Sequence, residues 1–170
     1  MNENELTGLL ESLRRMGSDD LSVEVKESAT TLSRDVWETV SAFANTAGGI
    51  IVLGVSERAG FVPVENFETE KVLNQFVAGM GDAGGRGKLA NPPKYTIERV
   101  ELKGTVVLVI TIEELDPSSK PCYVIERGTQ GGSYKRIDDK DVPLSSTRAS
   151  SKSPMAAPGT ASRSLGVVRP

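Results

Sequence analysis

The chain of 170 residues contains no histidine and a single cysteine, Cys122. This composition excludes an internal disulfide, the usual zinc sites of cysteine and histidine, and nucleophilic triads that use a histidine base. Any catalysis would have to rest on carboxylates, lysine, hydroxyl groups or a hard metal ion held by oxygen ligands. The length suffices for one domain with a single core, and no second domain is expected.

The net charge of −3 hides an uneven distribution of charge. Four of the 20 basic residues and none of the 23 acidic residues follow residue 142, so residues 1–142 hold 16 basic against 23 acidic residues. This acidic balance opposes nonspecific attraction to nucleic acid, because contacts with phosphates supply most of that affinity. No apolar run has the length or flanks of a signal peptide or a membrane span, and a cytoplasmic protein is expected.

The first part of the chain predicts a helix, a strand, and a second helix that leads directly into a buried strand. Leucines in residues 2–15 recur on one helical stripe, and residues 21–27 alternate with the period of a strand. The next helix is predicted to begin after Ser33, its N-cap, and to be closed by Gly48 in a left-handed conformation. Residues 50–55 are continuously apolar, so this strand is expected inside the sheet with both faces covered.

The middle of the chain predicts a turn, a helix and a long loop. Residues 57–63 have the composition of a turn, and residues 67–78 predict a helix with its apolar face inward. Residues 79–88 are rich in glycine and predict a mobile loop. The loop matches the glycine spacing of a dinucleotide fingerprint, but it follows a helix and lacks the serine or threonine of a phosphate-binding loop. Residues 91–93 include two prolines, which delay regular structure until about Tyr95.

The second half of the chain predicts two β-hairpins. Residues 95–102 and 105–112 flank a lysine-glycine turn, and residues 122–126 are predicted to pair with residues 133–137 across a glycine-rich turn. The order of elements therefore predicts an α/β fold, a mixed sheet with one helical layer and two late β-hairpins.

The pattern divides the chain into three segments. Residues 1–16 form an N-terminal helix, residues 17–142 form the α/β domain, and residues 143–170 form a tail. The tail is rich in serine, alanine, proline and glycine, with scattered basic residues. Because it has too few large apolar residues to offset the entropy of ordering, we expect the tail to be disordered.

Charged residues surround the start of the first strand. Glu24 and Lys26 share one face of this strand, and Asp19 stands five residues before Glu24. Two carboxylates beside an ammonium group could hold a divalent metal and a phosphate. The alternative is an ordinary exposed ion pair, which contributes little to stability. The spacing alone leaves both interpretations open.

Five motifs follow one another at characteristic places. They are a glutamate-hydrophobe-lysine strand, a helix end of alanine-phenylalanine-alanine-asparagine with paired glycines, a glycine-valine strand end, a lysine-proline-x-tyrosine and a late tyrosine-lysine-arginine strand. They lie in residues 22–28, 40–49, 51–55, 120–123 and 133–136. In this order they resemble the Schlafen/AlbA-type DNA-binding domain, over about residues 19–138. The resemblance implies a mixed α/β fold and a role with DNA or RNA.

Vertebrate Schlafens are similar domains that cut structured RNA with three acidic residues. The resemblance therefore implies catalytic acids at Asp19, at Glu24 and after the glycine-valine strand end, with Mg²⁺ or Mn²⁺ held by Asp19 and Glu24. This chain has Ser56 at the third position and Glu57 one place later. Adjacent strand residues point to opposite faces, so Glu57 can replace the third acid only if the strand has already ended.

The resemblance also implies contacts with nucleic acid. Lys26, Lys135 and Arg136 would contact phosphates. Asn45 would join them, or it would instead bond to backbone groups near its helix end. A homodimer would pool two modest basic surfaces. Three hypotheses stand: binding of DNA or RNA, a metal-dependent endonuclease, and a protein-interaction module that the acidic composition would suit.

Overall fold

The computed structural model describes residues 1–16 and 22–144, so Asp19 and residues 145–170 of the predicted tail lie outside the described residues. None of the helices in these two ranges has the length and apolar character needed to cross a lipid bilayer. In chain order the helices and strands are α1 (Glu3–Met16), β1 (Val23–Lys26), α2 (Val36–Asn45), β2 (Gly49–Leu53), β3 (Val55–Ser56), β4 (Val62–Pro63), α3 (Thr69–Gly79), β5 (Leu89–Ala90), β6 (Tyr95–Leu102), β7 (Thr105–Ile112), β8 (Tyr123–Val124), α4 (Gly128–Gly132), β9 (Tyr134–Ile137) and β10 (Lys140–Pro143).

A four-stranded sheet with the order β1-β2-β7-β6 forms the centre of the fold. β1 and β2 are parallel and are connected through α2, whereas β7 is antiparallel to both β2 and β6. The predicted β6–β7 hairpin is confirmed, with Leu102 opposite Thr105 at its turn. Ile51, Val52 and Leu53 in β2 are fully buried, as expected for an inner strand. The predicted α/β fold with a mixed sheet is confirmed.

Helices cover both faces of this sheet, so the prediction of a single helical layer is wrong, because the leucine stripe of α1 needs a face of the sheet to pack on. α2 and α3 pack on one face, where Phe43 is fully buried and the rings of Trp37 and Phe76 stack at 5.5 Å between centroids. α1 packs on the opposite face through a stripe of buried leucines: Leu6, Leu10 and Leu13. Full burial of a leucine side chain contributes about 1.5–3 kcal/mol. The N-terminal helix is therefore part of the core of the domain.

The junction between α2 and β2 depends on a glycine, as predicted. Gly48 has a φ of +73°, and its N–H donates to the carbonyl of Phe43 at 2.8 Å. A Cβ at this position would lie 2.6 Å from the carbonyl oxygen of Ile112 in the neighbouring strand. A side chain is thus excluded both by the left-handed backbone and by the close approach of β7.

The start of α2 differs from the prediction. Asp35 occupies the N-cap position, and the hydroxyl of Ser33 donates to the carboxylate of Asp35. The carbonyl of Ser33 accepts the N–H of Val36 at 3.2 Å, so a turn precedes the helix. The prediction of Ser33 as N-cap is therefore wrong by two residues, because this turn shifts the helix start toward the C-terminus.

The fold has two late hairpins, but the second one uses other strands than predicted. β9 pairs with β10, and β8 pairs with β5, while an isolated bridge joins Tyr123 to Ser133. The predicted turn, Gly128–Gly132, is the short helix α4, which follows a 3₁₀ turn at Ile125–Arg127. These turns end β8 after Val124, so the predicted pairing of residues 122–126 with residues 133–137 is reduced to the single bridge between Tyr123 and Ser133. β5 also forms earlier than the predicted resumption of regular structure, because β8 supplies its partner.

The glycine-rich segment between α3 and β5 is irregular, as predicted. Its ends meet where the N–H of Lys88 donates to the carbonyl of Gly79 at 2.6 Å. The Tyr95 hydroxyl donates to Asp82 at 2.7 Å. Burial and the Asp82 carboxylate raise the pKa of Tyr95 to about 12, so this bond persists across the physiological pH range.

Cys122 is expected to be unreactive in the native protein. Its side chain has no accessible surface, and burial raises the pKa of the thiol to about 12. Because the thiolate is the reactive form, an aromatic disulfide reagent at pH 8 should react only after guanidinium unfolds the chain. Absorbance of the released aromatic thiolate, with and without denaturant, measures this difference. Rapid reaction of the native protein would contradict the buried position.

Candidate functional site

Five charged residues beside β1 form one ion-pair network, called here the Glu24 network. Lys26 Nζ lies 3.2 Å from Glu24 Oε1 and 3.0 Å from Asp35 Oδ2. Arg136 reaches the other carboxylate oxygen, Glu24 Oε2, at 3.0 Å and Asp141 Oδ1 at 2.8 Å. The network thus joins β1, the start of α2, β9 and β10, and each cation has two carboxylate partners.

The two cations of the Glu24 network are almost entirely buried. The side chains of Lys26 and Arg136 are 9% and 6% exposed. The guanidinium carbon of Arg136 lies 5.3 Å from the centroid of the Phe43 ring, and the Thr39 hydroxyl donates to Asp141 at 2.7 Å. Buried charges are tolerated only when they are paired and hydrogen-bonded. This geometry gives both cations partners inside the protein and limits their access to an external phosphate.

Burial and charge act in opposite directions on Lys26 and Asp35. Burial lowers the pKa of Lys26, but the Glu24 and Asp35 carboxylates outweigh burial, and the net pKa lies above its ordinary value. Burial raises the pKa of Asp35, but hydrogen bonds from Ser33 and Lys26 outweigh burial, and the net pKa lies below its ordinary value. The contribution of Asp35 to stability is therefore present above the pKa of an unfolded aspartate and is lost as the pH falls through the folded pKa.

Two of the three predicted catalytic acids lie together. Glu24 and Glu57 line one cavity of about 150 Å³, together with Arg136 and Asp139. β3 ends at Ser56, so Glu57 stands in the turn that follows the strand. The strand has therefore ended before Glu57, as is required if Glu57 is to replace the third acid. Ser56 itself is buried, and its hydroxyl donates to Glu27 at 2.6 Å. The third predicted acid, Asp19, lies outside the described residues.

The described residues by themselves do not fit a divalent metal. Across residues 1–16 and 22–144, no group of three acidic side chains is placed to hold an ion. Both carboxylate oxygens of Glu24 already accept hydrogen bonds, from Lys26 and Arg136. The Mg²⁺ or Mn²⁺ site at Asp19 and Glu24 stays a prediction.

Asn45 uses its whole amide group inside the protein. Its Nδ2 donates to the carbonyls of Cys122 and Tyr134 at 2.9 and 2.8 Å, and its Oδ1 accepts the N–H of Cys122 at 2.8 Å. Ser41, one helical turn earlier, donates to the carbonyl of Cys122 and accepts the N–H of Tyr134. Asn45 therefore bonds to backbone groups from distant parts of the chain, and not to those near its own helix end as the alternative had it.

The outer face of the β9–β10 ribbon carries two lysines. Lys135 lies opposite Val142 and Ile137 lies opposite Lys140, on the face away from Arg136 and Asp141. Lys140 and Ile137 are exposed, and Lys135 is half-buried. Within the described part of the chain neither lysine is in an ion pair. The sequence pointed to Lys135 but missed Lys140, because β10 was not predicted.

A profile of a known protein family matches most of the chain. The sequence profile described as Schlafen, AlbA_2 matches residues 19–145, which is more than half of the chain. The chain belongs to this Schlafen AlbA_2 family. No curated protein matches the chain. The family match includes the Glu24 network, Asn45 and the β9–β10 ribbon, and the resemblance inferred from the five motifs is confirmed.

Solved structures similar to this Schlafen AlbA_2 chain include an N-terminal domain from Nitrosomonas europaea. That domain belongs to a protein named as related to the ATP-dependent DNA helicase RecG. It is 28% identical, with a TM-score of 0.59 over 79% of this chain and 90% of that chain. The DIP2311 protein from Corynebacterium diphtheriae is 16% identical, with a TM-score of 0.47 over 83% of this chain and 26% of that chain. The Nitrosomonas domain supports the α+β fold described above.

Proposed function

We propose that this protein binds nucleic acid through the outer face of the β9–β10 ribbon and the basic residues that follow it. The observation that carries the proposal is the placement of Lys135 and Lys140 on one face of a two-stranded ribbon. The sequence that continues from β10 adds four basic residues and no acidic ones. Family membership and the helicase-related name of the Nitrosomonas protein support a role with DNA or RNA.

The proposed contacts are suited to the backbone of a nucleic acid. Lysine side chains contact phosphates as point charges, and such contacts fix position without reading sequence. Ile137, 42% exposed between the two lysines, is suited to an apolar contact with a sugar or an unstacked base. Because residues 1–142 are acidic overall, a single ribbon gives modest affinity. We also propose that the protein is cytoplasmic and that it forms a homodimer, which presents two such ribbons to the nucleic acid.

A charge-reversal pair tests this surface. Lys135→Glu with Lys140→Glu is expected to weaken binding to labelled DNA or stem-loop RNA by at least about tenfold, because two phosphate contacts become repulsive. It should also reduce the slope of log K against log salt by about 2, since each contact contributes about 0.9. Fluorescence anisotropy across a salt series measures both effects.

The matched control reverses two exposed cations elsewhere, Arg15 on α1 and Lys94 before β6. Arg15→Glu with Lys94→Glu changes the net charge equally but should leave the slope nearly unchanged. In the full-length chain, replacing the four basic residues after position 142 by serine should reduce the slope further. Equal losses in the ribbon pair and the control pair would place the binding surface elsewhere, and no binding by the wild type would favour a protein-interaction module.

The second candidate function is a metal-dependent endonuclease. It is favoured by the cavity that Glu24 and Glu57 line together. Incubation of structured RNA and of DNA with Mn²⁺ or EDTA, resolved on denaturing gels, tests it. Cleavage that needs the metal and is lost in Glu24→Gln and Glu57→Gln, but not in the exposed control Glu65→Gln, would establish the nuclease. Binding without cleavage would reject it.

A further inference from the structure

The outer strand β6 has backbone groups that point away from the sheet. The N–H of Glu113 donates to the carbonyl of Lys94 at 3.0 Å, which makes these residues a hydrogen-bonded pair just beyond the hairpin register. Hydrogen-bonded pairs alternate along an antiparallel ladder. Residues 96, 98, 100 and 102 therefore bond to β7, and the N–H and C=O groups of residues 95, 97, 99 and 101 point outward.

The edge of another strand, β9, is covered by side chains, whereas the edge of β6 is open. On β9, the N–H groups of Tyr134 and Arg136 bond to the hydroxyls of Ser41 and Thr46, and Asn45 bonds the Tyr134 carbonyl. Side chains of α2 and of its C-cap Thr46 thus replace a neighbouring strand there. Within residues 1–16 and 22–144, no hydrogen bond is made to the outward backbone groups of residues 97, 99 and 101. An open edge of this length is a template for pairing with another strand.

We propose that β6 pairs with β6 of a second copy of this chain, antiparallel and centred on Val100. In that register Arg99 stands opposite the partner's Glu101, and Glu101 stands opposite the partner's Arg99. Because both residues belong to the outward set, each such pair also exchanges backbone N–H···O bonds in both directions. Registers centred on Arg99 or on Glu101 would place like charges opposite each other, which destabilises a strand pair.

The side chains of this edge are available for the proposed contact. Arg99 and Glu101 are exposed and lie on the same face of β6. Arg99 donates to Glu70 through Nε and Nη2 at 2.7 and 3.0 Å, which orients the guanidinium and leaves further N–H donors. In the described ranges Glu101 has no ion-pair partner of its own. The second copy would supply that partner.

Sedimentation velocity without nucleic acid tests the pairing, so its outcome is independent of the proposed binding function. The wild type is expected to form a dimer whose population rises with concentration. Glu101→Arg and Arg99→Glu should each raise the dissociation constant by at least about tenfold, because both reciprocal contacts become repulsive. An equimolar mixture of the two variants should restore a dimer, since every opposing pair is then complementary. Circular dichroism verifies that each variant is folded.

A backbone variant separates strand pairing from charge attraction. Glu101→Pro removes an outward N–H and no bond to β7, so it should abolish the dimer and preserve the fold. A wild type that stays monomeric at all concentrations would overturn the proposal. A dimer that is unaffected by Glu101→Pro, or variants that fail to restore association when mixed, would also overturn it and place the dimer contact elsewhere.

Discussion

Replacing Arg136 by methionine is expected to lower the free energy of unfolding by about 3–5 kcal/mol, because it removes a buried cation and leaves two partly buried carboxylates without it. Glu24 and Asp141 would keep their negative charge beside an apolar side chain of similar length. Each would retain only its second contact, Lys26 for Glu24 and Thr39 for Asp141. Guanidinium unfolding followed by circular dichroism measures the change, provided that the slope of the transition stays constant.

The neighbouring residue supplies the control for Arg136. Lys135→Met removes a cation from the same strand but from the outer face, and it should change stability by less than about 0.5 kcal/mol. A variant that combines Arg136→Met with Glu24→Gln and Asp141→Asn should regain part of the lost stability, because the uncompensated charges are removed with the cation. A triple variant that is less stable than Arg136→Met alone would show that packing of the guanidinium, and not its charge, dominates.

The Glu24 network also shows how far local sequence pattern reaches. Alternation along β1 predicted that Glu24 and Lys26 are neighbours, and they form an ion pair at 3.2 Å. The same pattern carried no sign that Arg136, 112 residues away from Glu24, would bond to the same carboxylate. Cations on strands are usually solvated, so burial of Lys26 and Arg136 follows only once β9 packs on α2. Once they are buried, the Lys26 and Arg136 cations need carboxylate partners, because an unpaired buried charge is strongly destabilising.

Two strand pairings illustrate the same limit. The β6–β7 hairpin was predicted because its strands are adjacent in sequence and its turn has a glycine where a positive φ is required, at Gly104. The pairing of β8 with β5 was not predictable in this way, because Leu89–Ala90 is too short to read as a strand without its partner. Glu57 is an intermediate case. From the sequence, Glu57 could line the site only if the preceding strand ended before it. β3 does end at Ser56.

Replacing Asn45 by alanine is expected to cost about 2–4 kcal/mol of stability, because backbone groups of two distant segments lose their partners at once. The Cys122 N–H and the Tyr134 carbonyl would each be left without the bond that Asn45 supplies, and an unsatisfied buried polar group costs about 1–3 kcal/mol. Chemical unfolding of the variant measures the loss. Asn74 on α3 is exposed and gives the matched control, since Asn74→Ala should be neutral or slightly stabilising in a helix.

Asn45→Asp separates the two halves of the amide. The aspartate keeps an oxygen that accepts the Cys122 N–H, but it replaces the donor by a second oxygen that faces the carbonyls of Cys122 and Tyr134. It should therefore be at least as destabilising as alanine, because an unmade bond becomes a repulsion. If instead Asn45→Ala were as stable as the wild type and lost nucleic-acid binding, Asn45 would act at the binding surface. A stability loss with unchanged affinity of the folded fraction would fix its role as the link that holds β9 against α2.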